Sequence, residues 1–352
     1  MLLAAYMPAA AQQTKLLTAE KHNEYGLVYT LPVTALDIEV TAVREVKKAG
    51  QYYQYAKKYV GTDKVVKEDD ESWTIEKVKV RPYGIPDPDA RYLMQLKPGA
   101  LAYIGVDADG MLLSINTPPV VEEVEKTAPR PIEGEKIADR EYLQYVDEDF
   151  IASQSSAKQA QMLAENLMEI REAKTSLTRG TAETMPTDGK QLELMLNSLA
   201  HQEAALTAAF LGNTTRETVV RNFTYVPADN GREVVFRMSD FDGFVAANDY
   251  SGEPVYIDIE ITNEGTLPVD AKGEEKKMPK DAVAYCVPGA ANVSLTYQGK
   301  KLFNKEFEMS QFGIVFGLNP SVFSDRKEPS YAVFDPSTGA LKEIGPAKLA
   351  QE

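Results

Sequence analysis

Along residues 36–42 the chain alternates: Leu36, Ile38, Val40 and Ala42 are apolar, and Asp37, Glu39 and Thr41 are polar. A period of two marks a strand with one buried face. The surrounding run YGLVYTLPVTALDIEVTAVREV (25–46) is rich in β-branched and aromatic residues, with Pro32 marking an edge or bend. GQYYQYAKKYVG (50–61) sets Tyr52, Tyr55, Ala56 and Tyr59 at helical spacing before Gly61, which predicts a short helix laid on the sheet. Such a tyrosine stripe is either packing or a sugar platform, and packing is the commoner use. SWTIEKVKVRPYG (72–84), ARYLMQLKPG (90–99) and ALAYIGVDADGMLLSIN (100–116) read as further strands. The last is a hairpin turning on Asp109-Gly110.

The period then changes. Residues 117–135 carry four prolines and five glutamates, and read as a linker or an extended strap. In 153–180, Leu163, Leu167, Ile170 and Leu177 form one stripe, with Ser153 or Ser155 to cap the start and Gly180 to close the end. In 190–212, Leu192, Leu196, Leu199, Leu206 and Phe210 share a face, with Asp188 as cap and Gly212 as stop. Two helices of about 22–25 residues, each about 35 Å long and joined by a short turn, pack antiparallel. Met162, Met168, Leu194 and Met195 widen the apolar arc, so the pair either projects or lies across a neighbour.

From Thr218 onward the pattern is β again. TVVRNFTYV, REVVFRMS, PVYIDIEIT and VAYCV are strands, followed by hairpins turning on Gln298-Gly299 and on DPSTG (335–339). The expected architecture is α+β: two β-rich domains, sandwiches or twisted antiparallel sheets, with a long antiparallel helical hairpin between them. The segments are 24–116 (β-rich, with a short helix), 117–149 (linker or strap), 150–212 (helical hairpin) and 213–346 (β-rich). LDIEVT (36–41) resembles IDIEIT (257–262), and a hairpin lies downstream of each. Either a β-rich module is duplicated around the helices, or alternating strands with acidic outer faces look alike by necessity.

Composition narrows the function. The 352 residues include 53 acidic and 38 basic side chains, a net charge of −15. That charge argues against nucleic acid and against an anionic membrane surface. No run after the N-terminus reaches the about 18 apolar residues of a membrane span. The chain opens MLLAAYMPAAAQQTK, and Ala9 and Ala11 fit the small-residue positions of signal cleavage, with Gln12 as first mature residue. Residues 1–11 therefore read as the remnant of a signal peptide, and the protein as exported to the periplasm or cell surface. One cysteine, Cys286, forms no internal disulfide, and two histidines, His22 and His201, are few for zinc or nucleophile chemistry.

The remaining candidates are weak. Asp240, Asp242 and Asp249 are oxygen ligands on one loop, but their spacing is not that of an EF-hand, and a turn explains them more cheaply. Cys286 sits in an apolar strand and reads as a buried, inert thiol. No cofactor motif is present. The segments YGLVYTLPVTALDIEV, REAKTSLTRGTAETMPTDGKQLELMLNSLAHQEAALTAAFLG, YCVPGAANVSLTYQGKKL, QFGIVFGLNPSVF and FDPSTGAL together resemble a family of unknown function, exported proteins from gut bacteria of the Bacteroides type. The resemblance implies export and carries no catalytic residue. The reading is a cell-envelope binding or assembly protein whose partner, a protein or glycan, meets the helical tip near Met185 and Pro186. The rival is a carbohydrate-active or other hydrolase with paired carboxylates in an interdomain cleft.

Overall fold

The structure is a computed structural model that describes residues 13–16, 26–95, 103–119, 127–323 and 328–347. The expected cleavage site at Ala11 and Gln12 lies outside the described residues. The alternating run around Ile38 becomes β2 (Leu27–Lys48), a 22-residue strand. It pairs antiparallel with β3 (Asp70–Gln95) on one side and with β6 (Asn213–Tyr225) on the other, and β1 (Gln13–Leu16) adds to the far edge of β3. The two strands expected at 72–84 and 90–99 are this one β3. Pro82, Gly84 and Pro86 look like strand breakers, but Pro82 and Gly84 pair in register with Leu36 and Thr34, and a register shift between Thr30 and Pro32 falls beside Pro86.

A second sheet has the order β11-β10-β9-β7-β8, formed by β7 (Gly231–Ser239), β8 (Gly243–Val245), β9 (Glu253–Asn263), β10 (Val283–Tyr297) and β11 (Lys300–Leu318). Gln298 and Gly299 both take positive φ between β10 and β11, the geometry of a two-residue hairpin loop. The two sheets pack face to face. Leu36, Ile38 and Val40 of β2 meet Phe236, Val255, Ile257, Val293 and Leu295 in one buried cluster. Burying each such side chain contributes about 1.5–3 kcal/mol.

A third sheet combines β4 (Ile104–Val106) and β5 (Leu112–Ile115) with β12 (Ser330–Phe334) and β13 (Leu341–Pro346), in the order β13-β12-β5-β4. Its core joins Tyr29, Leu112 and Ile115 to Tyr285, Phe316 and Phe334. The architecture is thus α+β with β-rich bodies, but the bodies do not follow the segments 24–116 and 213–346. β6 completes the first sheet and β12 pairs with β5, so each segment supplies strands to the other's sheet. Alternation within a strand fixes which face is buried, not which strand lies alongside.

The third sheet exposes an internal repeat. β2, β3 and the β4–β5 hairpin correspond to β10, β11 and the β12–β13 hairpin. Tyr29-Thr30-Leu31-Pro32 matches Tyr285-Cys286-Val287-Pro288. The Thr30 N–H donates to the Gly110 carbonyl at 2.9 Å, and the Cys286 N–H donates to the Gly339 carbonyl at 3.0 Å. Each turn is closed by an aspartate: Asp107 accepts from the Asp109 and Met111 N–H groups, and Asp335 from those of Ser337 and Thr338. The matching hairpins are those noticed in the sequence, but LDIEVT and IDIEIT do not correspond. LDIEVT lies in β2, whose counterpart is β10. IDIEIT lies in β9, which flanks β10 as β6 flanks β2.

Four helices, α1 (Ala56–Tyr59), α2 (Glu148–Ala152), α3 (Ser156–Arg179) and α4 (Gly189–Leu211), lie between β2 and β6 in the chain. Ser155 caps α3 by accepting from the Lys158 N–H at 3.4 Å, and Gly180, at φ 70, closes it. Asp188 occupies the cap position of α4 but makes no side-chain cap bond. α1 does not lie on a sheet, as the sequence suggested. Tyr52 and Ala56 are buried instead with Phe150, Leu163, Leu206 and Phe210, in an all-helical cluster. The tyrosine stripe is packing.

Candidate functional site

The residues expected to carry chemistry are scattered. Among the described residues no three of His, Cys, Asp and Glu are grouped to hold a metal ion. Asp240 and Asp242 sit in the β7–β8 turn, where the Ser239 hydroxyl accepts from the Phe241 and Asp242 N–H groups. Asp249 accepts from the Ser251 N–H at 2.9 Å, which holds its carboxyl below the usual range. Ser239 and Asp249 thus close the turns in which these aspartates lie. Cys286 is buried, and burial pushes its thiol up to about 12, so it stays protonated and inert at neutral pH. Met185 and Pro186 lie between α3 and α4, with Met185 38% exposed.

The structure gathers a different set at the base of α4. The strap leaves the first sheet here by a series of polar contacts. The Thr127 hydroxyl donates to Glu39 at 2.5 Å, Arg130 bonds Glu76, and Glu133 exchanges backbone bonds of 2.9 Å with Arg216. Glu39 is almost fully buried on the outer face of β2. Burial opposes its charge, but the Thr127 hydroxyl and N–H and the Lys79 ammonium at 3.2 Å outweigh that, and its pKa falls.

The strap then docks on α4 through His201. Nδ1 of the ring meets Glu135 and Nε2 meets Glu141, both at 2.5 Å. A ring that faces a carboxylate on each side is satisfied only as a double donor, the imidazolium. Glu135 first, and then Glu141, raise the His201 pKa. Glu141 is held low by the Ala138 N–H and by His201. In the sequence His201 is one of only two histidines and stands in no metal or nucleophile motif. Its partners are 66 and 60 positions away, and no local spacing announces them.

Beside this clamp lies a cavity of about 360 Å³, enclosed by the end of β2, the strap and α4. Ala205 and Ala209 are buried in its α4 wall. Gln51 accepts from the Tyr142 hydroxyl. Lys48 is paired with Asp69 at 2.8 Å. Arg140 has φ 53, a left-handed conformation that costs a non-glycine residue about 1–3 kcal/mol and is informative where it is seen. Burial raises the Tyr142 and Tyr52 phenols, and the Arg140 charge opposes both shifts.

Two further features bear on function. In α4 the buried residues are Ala205, Leu206, Ala209 and Phe210, all in its last turns. Residues 189–204 bury none, and Leu194 and Met195 are 63% and 39% exposed. In α3 the buried residues run from Ala160 to Leu167, with Leu177 beyond, while Met168 is 44% exposed. The facing order is reversed between the two helices. Leu163 and Leu167 share a cluster with Leu206 and Phe210, and Arg171 and Lys174 meet Glu203 at 2.8 and 3.0 Å. No helix among the described residues is long and apolar enough to cross a membrane.

Residues 25–342 match one family model, described as a domain of unknown function (DUF4831). No curated protein and no solved structure matches the chain.

Proposed function

The chain belongs to the family DUF4831, and from that premise we propose that it is an exported cell-envelope protein that binds or assembles with a partner, without catalysing a reaction. α3 and α4 form a long antiparallel hairpin whose base is locked into the body and whose far half is the contact. The observation that carries this reading is the uncovered apolar surface of the far half: Leu194, Met195 and, at the turn, Met185. Methionine-rich surfaces adapt to partners because the side chain is unbranched and polarizable. The small-residue pattern ending at Ala11 supports export. The hydrolase reading needs two uncommitted acids across one cleft. The cavity at the hairpin base offers Asp139 but not Glu141, which is taken by His201 and the Ala138 N–H.

A photo-crosslinking side chain placed at Leu194, in the native cell, tests this. We expect a discrete adduct in the envelope fraction, absent when the same group sits at Glu165 near the base. The adduct at 194 should also vanish when Met195 and Met185 are both changed to glutamate, with the melting temperature unchanged. A cytosolic protein, or an adduct indifferent to those charges, defeats the reading.

A further inference from the structure

We propose that the cavity at the base of α4 binds the zwitterionic end of a small aliphatic amino acid, or of a short peptide that presents one. The argument starts from which charges around it are already committed. Glu141 is bonded to His201 and to the Ala138 N–H, and Lys48 is paired with Asp69. That leaves Asp139 and Arg140, neighbours in sequence and opposite in charge. Among the described residues neither makes an ion pair or a side-chain hydrogen bond, with the other or with a third group.

An unpaired carboxylate and an unpaired guanidinium at one mouth call for a ligand that carries both complements. A ligand carboxylate meets the guanidinium fork through two parallel hydrogen bonds, and the α-ammonium meets Asp139. A simple anion would satisfy Arg140 and leave Asp139 to repel it, and a simple amine would do the reverse.

The rest of the cavity chooses the side chain. Its wall carries Ala205, Ala208 and Ala209 from α4 and Ile137 from the strap, a surface without charge that a short aliphatic group covers. The Asn213 side-chain N–H already donates to the Glu135 carbonyl, which leaves its amide oxygen as an acceptor at the rim. A volume of about 360 Å³ admits one such residue with room for a second peptide unit. This site is separate from the far half of the hairpin and stands or falls independently of it.

Calorimetric titration of the full chain with L-leucine tests the proposal, with isovalerate and isoamylamine as ligands that carry one charge each. We expect saturable binding of leucine, about tenfold or more tighter than either analogue. Arg140→Gln and Asp139→Asn should each weaken it by about tenfold or more. Both side chains are exposed, so the circular dichroism spectrum and melting temperature should stay unchanged. Ala208→Phe, which fills the cavity, should abolish binding. No saturable heat at roughly 10 mM leucine, equal affinity for isovalerate, or full affinity in Arg140→Gln would each overturn it.

Discussion

Tyr29 is fully buried, and its hydroxyl serves one distant residue twice. It donates to the Ala284 carbonyl at 3.2 Å and accepts from the Ala284 N–H at 2.8 Å. Burial pushes its phenol far above the ordinary value, so the group stays a neutral donor. The pair ties β2 to β10 at Ala284, the residue before Tyr285, its match in the internal repeat. Tyr29→Phe removes one atom and leaves the Ala284 N–H and carbonyl in the core without that partner. Leaving such a group unsatisfied costs about 1–3 kcal/mol, and urea denaturation should show a loss of that size at unchanged slope. A wild-type midpoint would mean that the two bonds add nothing net. Glu39 is a comparable case, a buried carboxylate kept charged by Thr127 and Lys79. Its folded pKa is depressed, so its contribution is present above the unfolded value, about 4.3, and is lost as pH falls through the folded value.

The docking of the strap depends on pH through His201, whose pKa is raised. His201 reaches it through Glu135 and Glu141, with the Tyr145 hydroxyl beside Glu141. On the α3 side, Arg171 and Lys174 are neutralised by Glu203. The folded pKa of His201 is raised, so its contribution is complete below the unfolded value, about 6.5, and is lost as pH rises through the folded value. Hydrogen exchange of amides 135–145, corrected for intrinsic rates, should therefore be slower at about pH 6 than at about pH 9. His201→Gln should erase the difference, and a difference that survives it would place the titrating group elsewhere. At the other end of the helices, deleting residues 181–187 should leave the melting temperature within about 2 °C of wild type, since no residue there is buried. A large drop would mean that the turn holds the helices together.

These two elements also mark how much was legible in the sequence. Helix α3 was readable to within two residues, Ser153 or Ser155 at its start and Gly180 at its end, because caps act locally. The hairpin at Gln298-Gly299 was readable for the same reason. β3 was divided in two because proline and glycine signal breaks in isolation, whereas a long ladder pairs Pro82 and Gly84 in register and shifts only beside Pro86. The His201 clamp and the Arg140 conformation were not legible, since each depends on how the strap meets α4. The same limit applies to the sheets, where β2 and β6 join residues as far apart as Leu36 and Tyr225.

At the scale of the molecule, the interleaving of strands decides how the chain folds. Residues 24–116 and 213–346 look like two domains, yet neither holds a complete sheet in the first or third layer. Without β6 the outer edge of β2 is bare, and without β12 so is that of β5. Leu36, Ile38 and Val40 also lose the facing sheet that buries them. A fragment with half of each core cannot offset the conformational entropy of ordering, about 1–2 kcal/mol per residue for the backbone alone. Each segment expressed by itself should be unfolded, with little dispersion of amide proton shifts. In the intact chain, Trp73 packs against the sandwich core and reports on it by fluorescence, while far-ultraviolet circular dichroism reports on the helices. The two probes should trace one urea transition. If fragment 213–346 folds alone, or if fluorescence is lost well before the helical signal, the second sheet is self-sufficient. The repeated halves would then be separable domains, and the interleaving would be a feature of assembly rather than of folding.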